Sequence, residues 1–175
     1  MKRGVYPGSF NPPTLGHIAI VRASIQQFSL DQIDLAVSEI ALAKPVIEKP
    51  SLEERIRVLE TSVADIPQSQ VIRTQLQLIA DIADGYDVVI MGADKWAQIH
   101  DKSFYDDDIH MRYCLSRLPE LAVAPRDGID VPKKILLDVP ETIAPISSSK
   151  AQKEMFEWMT EAAQSFSLAT GAWKN

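Results

Sequence analysis

The sequence predicts an α/β fold: a doubly wound, mostly parallel sheet within one domain, residues 1–175. Three observations lead there. Short apolar runs alternate with segments whose apolar residues recur at helical spacing, the order that produces right-handed strand–helix–strand crossovers. The clearest run, DVVIM at residues 87 to 91, does not alternate apolar with polar, as expected of a strand covered by helices on both faces. At 175 residues the chain suits one domain whose core needs no disulfide or metal, and it shows no internal repeat, low-complexity tract or linker. Together these describe a Rossmann-like sheet.

The elements follow in order. Arg3 to Pro7 is a short β-type run, and Gly16 to Phe28 places Ile18, Val21, Ile25 and Phe28 on one helical face. Ile33 to Val37 is the second strand. After a loop with Pro45 and Pro50, a helix puts Leu52, Ile56, Leu59 and Val63 together; its start is fixed by Ser51 and Glu54, an S-x-x-E capping box. Gln70 to Arg73 is a strand, followed by a helix carrying Leu76, Ile79, Ala80 and Ala83. DVVIM then enters GADKWAQIH. Residues 101 to 110, DKSFYDDDIH, are polar and acidic and read as a surface insertion. Strands are expected at Leu121 to Ala124 and Ile135 to Leu137. A final helix is expected with Ala151, Met155, Trp158 and Ala162 on one face.

Composition narrows the function classes. The formal charge of −6 and pI near 5.0 argue against a nucleic-acid partner, because backbone affinity comes from clustered Lys and Arg. A small phosphorylated ligand stays open, since local donors bind it. Cys114 is the single cysteine, so no internal disulfide forms. The start, MKRGVYPG, lacks the apolar stretch of a signal peptide or membrane anchor, and a cytoplasmic, soluble protein without a membrane partner is expected.

Ligands of open α/β sheets bind beyond the carboxyl ends of the strands, and three candidate stretches lie at such places. In YPGSFNPPTLGH, residues 6 to 17, Gly8 is expected to leave room for a ligand near the backbone, and Pro12 and Pro13 to stiffen the loop. Thr14 can cap the helix, Gly16 leaves its first turn bare, and His17 adds an N–H donor beside a helix start, itself an anion site. A plain proline-rich turn is the competing reading. In APISSSKAQKE, residues 144 to 154, serines and a lysine open a helix; Ser149 and Gln152 also satisfy S-x-x-Q, so capping alone competes. In GAD, residues 92 to 94, Asp94 either accepts ribose hydroxyls or caps the next helix.

GSFNPPTLGH resembles the HxGH or TxGH signature of the nucleotidylyltransferase superfamily, and ISSSKAQ resembles its C-terminal ISSTxxR signature, in matching order and separation. The resemblance runs from Tyr6 to about Trp158. YPGSFNPPTLGHIAIVRAS is similar to the phosphopantetheine adenylyltransferase branch. GADKW resembles the GxD motif of nicotinamide or nicotinate mononucleotide adenylyltransferases, and LAVAPRDG a segment those enzymes carry; this second branch is the expectation, with NAD biosynthesis as its setting. AKPVIEKPSLEER matches a lysine-bearing loop common to both.

The resemblance implies an adenylyltransferase that joins ATP to a small phosphorylated acceptor and releases pyrophosphate. It implies His17, Lys44 and Thr14 as catalytic residues. Gly8, Ser9, Phe10, Gly16, His17, Gly92, Asp94, Ile146, Ser147, Ser148, Ser149 and Lys150 would bind ATP, and Phe104, Tyr105 and Arg126 the acceptor. Mg²⁺ would arrive with ATP, because the sequence shows no dedicated carboxylate cage and no metal ligands are assigned. Gln152 stands where the signature has arginine. The oligomeric state stays open, and a homo-oligomer is compatible with the sequence.

Overall fold

The structure is a computed structural model that describes residues 1–39 and 50–173. One sheet contains β1 (Arg3–Gly8), β2 (Gln32–Ser38), β3 (Ser69–Thr74), β4 (Val88–Gly92) and β5 (Glu120–Ala124), in the order β3-β2-β1-β4-β5. Every strand pair is parallel. Each connection therefore crosses a face of the sheet, and the winding reverses between β1 and β4.

Alternate residues of each strand feed two cores, as the unbroken apolar runs require. On one face Tyr6, Ile33, Leu35, Val88 and Ile90 meet Ile20 and Val21 of α1 (Leu15–Phe28) and Leu59 of α2 (Leu52–Ser62). On the other, Val5, Val89, Met91 and Val123 meet Ile79 and Ile82 of α3 (Ile79–Ile82), Ala93 of α4 (Ala93–Gln98) and Leu115 of α5 (Asp108–Ser116). A third cluster joins Val58 of α2 to Ala151 of α6 (Ser148–Lys153), Ala163 of α7 (Glu161–Thr170), Met159 and Trp173. At the end of the sheet away from the β1 carboxyl terminus, the buried Asp34 carboxylate accepts from Arg3 Nη2 at 2.9 Å and from the Tyr86 hydroxyl at 2.6 Å. Burial, reinforced by Asp34, pushes the Tyr86 phenol up to about 12.

Both predicted helix starts form. Thr14 and Ser51 are N-caps with complete capping boxes. Three other expectations are corrected. Ile135 to Leu137 is no strand: Lys133–Ile135 is a 3₁₀ turn, and the segment touches the sheet edge by one bridge, Val123 to Leu136. The turn takes up the first part of the stretch after Pro132, and Leu136 alone bridges to the sheet. The single last helix is two, because after the 3₁₀ turn Phe156–Trp158 the chain diverts Met159 and Thr160 to the β1–α1 loop, and Thr160 caps a new helix. Tertiary pairing there overrides helical spacing. The acidic insertion is exposed over most of its length, as expected, but it also holds the start of α5, capped by Asp107. No described helix is long and apolar enough to cross a membrane.

The α2 capping box yields a prediction. Ser51 Oγ accepts from Glu54 N–H at 3.3 Å, and the Glu54 carboxylate accepts from Ser51 N–H at 2.8 Å. Ser51→Ala is expected to lower the thermal midpoint by about 2–4 °C, the effect of losing about 1 kcal/mol in a chain of this size. An unchanged midpoint in calorimetry would show that the cap contributes nothing.

Candidate functional site

A cleft of about 690 Å³ opens where β1 and β4 end, at the reversal of winding. A larger groove of about 850 Å³ runs between α1, α2 and α7. Its walls are helices and helix ends, with none of the strand-end loops that present backbone donors to a ligand. The cleft gathers Gly8, Ser9, Phe10, Thr14, Gly16 and His17 from the first candidate stretch, Gly92 and Asp94 from the third, and Ile146, Ser147, Ser148, Ser149 and Lys150 from the second, with Arg126. Phe104 and Tyr105 line a neighbouring small cavity beside Gln77 and Leu78, where the Tyr105 hydroxyl donates to Ile99 O at 2.8 Å. Lys44 lies outside the described residues.

The β1–α1 loop cannot pair with itself, because Pro12 and Pro13 have no N–H to give. Distant groups satisfy it instead. Arg55 Nη1 donates to Ser9 O at 2.8 Å, Ser148 Oγ to Pro12 O at 2.8 Å, Thr160 N to Pro13 O at 3.1 Å and Trp173 Nε1 to Asn11 Oδ1 at 2.5 Å. Two glycines allow the close packing. A Cβ at Gly8 would lie 2.9 Å from the Phe10 ring, and one at Gly16 would lie 3.1 Å from Ile146 Cγ2. The side-chain position at Gly8 is thus filled by the ring of Phe10, whose φ is 45°, while Gly8 itself lines the cleft. The bare first turn of α1 seats Ile146 and so draws the 143–150 segment against it.

His17 is held by the helix it opens. Its Nδ1 faces the Thr14 backbone N–H at 3.0 Å and the Thr14 hydroxyl at 2.9 Å. A backbone N–H can only donate, so the network assigns Nδ1 as acceptor and puts the proton of the neutral ring on Nε2. The ring also packs edge-on to Phe10, centroids 5.0 Å apart, and beside Tyr6 at 6.1 Å. One rotamer and one tautomer are therefore selected before any ligand arrives.

The serines divide their work. Ser147 is the cap of α6, its hydroxyl accepting from Lys150 N–H at 3.2 Å, so the Ser149–Gln152 cap is corrected. Ser148 clamps the Pro12 carbonyl, and the six-residue helix opens at the cleft. Asp94 is not an N-cap either; Gly92 holds that position. Asp94 Oδ2 accepts from Arg126 Nε at 2.8 Å, while Arg126 Nη1 donates to Ala144 O at 3.1 Å and Ile146 O at 2.8 Å. One guanidinium thus ties the β4 end to the 143–150 segment.

Sequence reasoning missed Tyr6, Asp127, Lys95 and Gln98, which also line the cleft, and Arg55 behind it. Tyr6 sits in an apolar run that signals only a strand. Burial pushes its phenol well above the ordinary range, partly opposed by the charge of Arg126, so it stays protonated. The spacing of α2 gave no sign that Arg55 points inward.

The family model described as cytidylyltransferase-like matches residues 5–154, a span holding all three candidate stretches. A phosphopantetheine adenylyltransferase of Lachnoclostridium phytofermentans is 39% identical over 72 residues, 41% of each chain. One of Aquifex aeolicus is 34% identical over 92 residues, 52% of this chain and 54% of the relative. The chain thus spans about half, or less, of the curated relatives it matches. Their names follow the branch suggested by the first candidate stretch, not the pyridine-mononucleotide branch expected from GADKW.

Gly16→Val tests the seating of Ile146. Valine suits a helix slightly better than glycine, so local propensity alone predicts a gain. Overpacking against Ile146 is expected instead to cost about 1–3 kcal/mol and to speed proteolysis within residues 143–150. A raised midpoint with unchanged proteolysis would overturn the close approach.

Proposed function

The chain belongs to the cytidylyltransferase-like family, and on that premise we propose that it transfers the adenylyl group of ATP to the phosphate of a small acceptor, releasing pyrophosphate. The observation that carries this reading is the meeting of the two signature stretches across one cleft, joined by the bond from Ser148 Oγ to Pro12 O at 2.8 Å. The proposed acceptor is phosphopantetheine, supported by the names of both relatives. A pyridine mononucleotide is the second reading, favoured by Asp94 beside Gly92 at the end of β4.

In-line attack of an acceptor phosphate on the α-phosphorus needs little covalent chemistry from the protein. Positioning and neutralisation of charge on phosphate oxygens do most of the work. His17, protonated on Nε2, donates to the α-phosphate as charge develops there. Thr14 fixes the ring's orientation, and Ser9, Phe10 and the 146–150 segment bound the triphosphate. Lys44, in the sequence stretch AKPVIEKP ahead of α2, is the proposed further cation for the phosphates. Asp94 is already engaged by Arg126, and the other cleft carboxylate is Asp127. This donor set suits Mg²⁺ held chiefly by the triphosphate's own oxygens, where it supplies charge neutralisation.

His17→Ala is expected to lower turnover by about 100-fold or more, as loss of one transition-state donor does, with the unfolding midpoint near that of the wild type. Pyrophosphate release with ATP and phosphopantetheine, nicotinamide mononucleotide or nicotinate mononucleotide checks both the step and the acceptor. Unchanged turnover removes His17 from the mechanism. ATP binding without release for any acceptor removes the transferase reading in favour of a nucleotide sensor.

A further inference from the structure

Tyr6 is 6% exposed and lines the cleft. Its ring is fully used: Phe10 packs edge-on with centroids 5.3 Å apart, and His17 lies at 6.1 Å. Its hydroxyl is not. Among the described residues that oxygen has no hydrogen-bond partner, and it is not among the wholly enclosed unpartnered atoms, which are Arg3 Nε and Arg55 Nε. What remains accessible of Tyr6 therefore opens on the cleft. A phenol left unsatisfied in an interior is destabilising, and phenylalanine would keep every ring contact.

Arg126 lines the same cleft, and its charge partly opposes the effect of burial on this phenol. That group is immobilised through Nε and Nη1, on Asp94 and two carbonyls, which leaves Nη2 without a hydrogen bond among the described residues. A protonated phenol and a guanidinium amino group can both donate. A ribose hydroxyl, which also donates, is better served by Asp94; a phosphoryl oxygen only accepts.

We propose that the Tyr6 hydroxyl, in the cleft that Arg126 also lines, is a binding group for a phosphoryl oxygen of the bound nucleoside triphosphate. The assignment rests on the adenylyltransferase reading for its ligand class, and it gives the inner wall of the cleft a phosphate contact contributed by the first strand rather than by a loop.

Calorimetric titration of the wild type and Tyr6→Phe with ATP and, separately, with adenosine tests it, alongside thermal unfolding without ligand. The expected result is about tenfold weaker ATP binding, the usual effect of losing a hydrogen bond to a charged group, with adenosine binding changed less than twofold. The ligand-free midpoint should be unchanged or higher. Unchanged ATP affinity overturns the proposal, as does an equal loss for adenosine. A lower ligand-free midpoint also overturns it, by showing that the hydroxyl serves the protein itself. Wild-type protein that binds ATP but releases no pyrophosphate overturns the transferase reading and leaves Tyr6 in place; failure to bind ATP at all overturns both.

Discussion

The carbonyl oxygens of the β1–α1 loop set the terms for the rest of the molecule. Two adjacent prolines remove two of the loop's backbone donors, and several of its acceptors are met from elsewhere. Arg55 reaches Ser9 from 46 residues away, Ser148 reaches Pro12 from 136, and Trp173 reaches Asn11 from 162. Arg55 is itself 2% exposed, and burial pulls its guanidinium below the usual range. A cation so placed is tolerable only because it is hydrogen-bonded. The loop meets one donor of that charge, Nη1, while Nε has no hydrogen-bond partner among the described residues.

From that constraint the cleft follows. A loop held at Ser9, Asn11, Pro12 and Pro13 delivers Thr14 in the extended conformation that caps α1, and the cap orients His17. The same bonds draw the 143–150 segment onto α1, where Ile146 occupies the side-chain-free first turn. Arg126 completes the ring of ties by joining Asp94 to the carbonyls of Ala144 and Ile146. Strand ends, helix start and C-terminal segment are thus parts of one hydrogen-bonded frame, and preorganisation of this kind is what phosphoryl chemistry asks of a protein.

Much of this was legible in the sequence because its causes are local. Most strand runs, the Ser51–Glu54 capping box, Thr14 as a helix cap and the strand-end placement of GSFNPPTLGH and GAD follow from periodicity and turn chemistry within a few residues. What was not legible arises at long range. Helical spacing over Ala151, Met155, Trp158 and Ala162 is genuine, yet the demand of Pro13 O for the Thr160 N–H breaks the helix between them. Gly8 reads like a ligand-facing glycine, but only the folded loop reveals Phe10 lying on it. Ser147 rather than Ser149 caps α6, a choice among identical neighbours that spacing cannot make. Tyr6 shows that a residue may be counted as core by its ring and still carry a polar tip whose partner no sequence pattern specifies.

The bond between Trp173 and Asn11 has a consequence for biogenesis. Synthesis proceeds from the amino end, so the loop emerges 162 residues ahead of its Trp173 fastening. Contacts of such high sequence separation form late because chain closure must precede their reward. The sheet can assemble on the ribosome as β1 to β5 appear, but the nascent chain gains a finished cleft only once the indole has left the exit tunnel. Until then its acceptor at Asn11 is met by solvent.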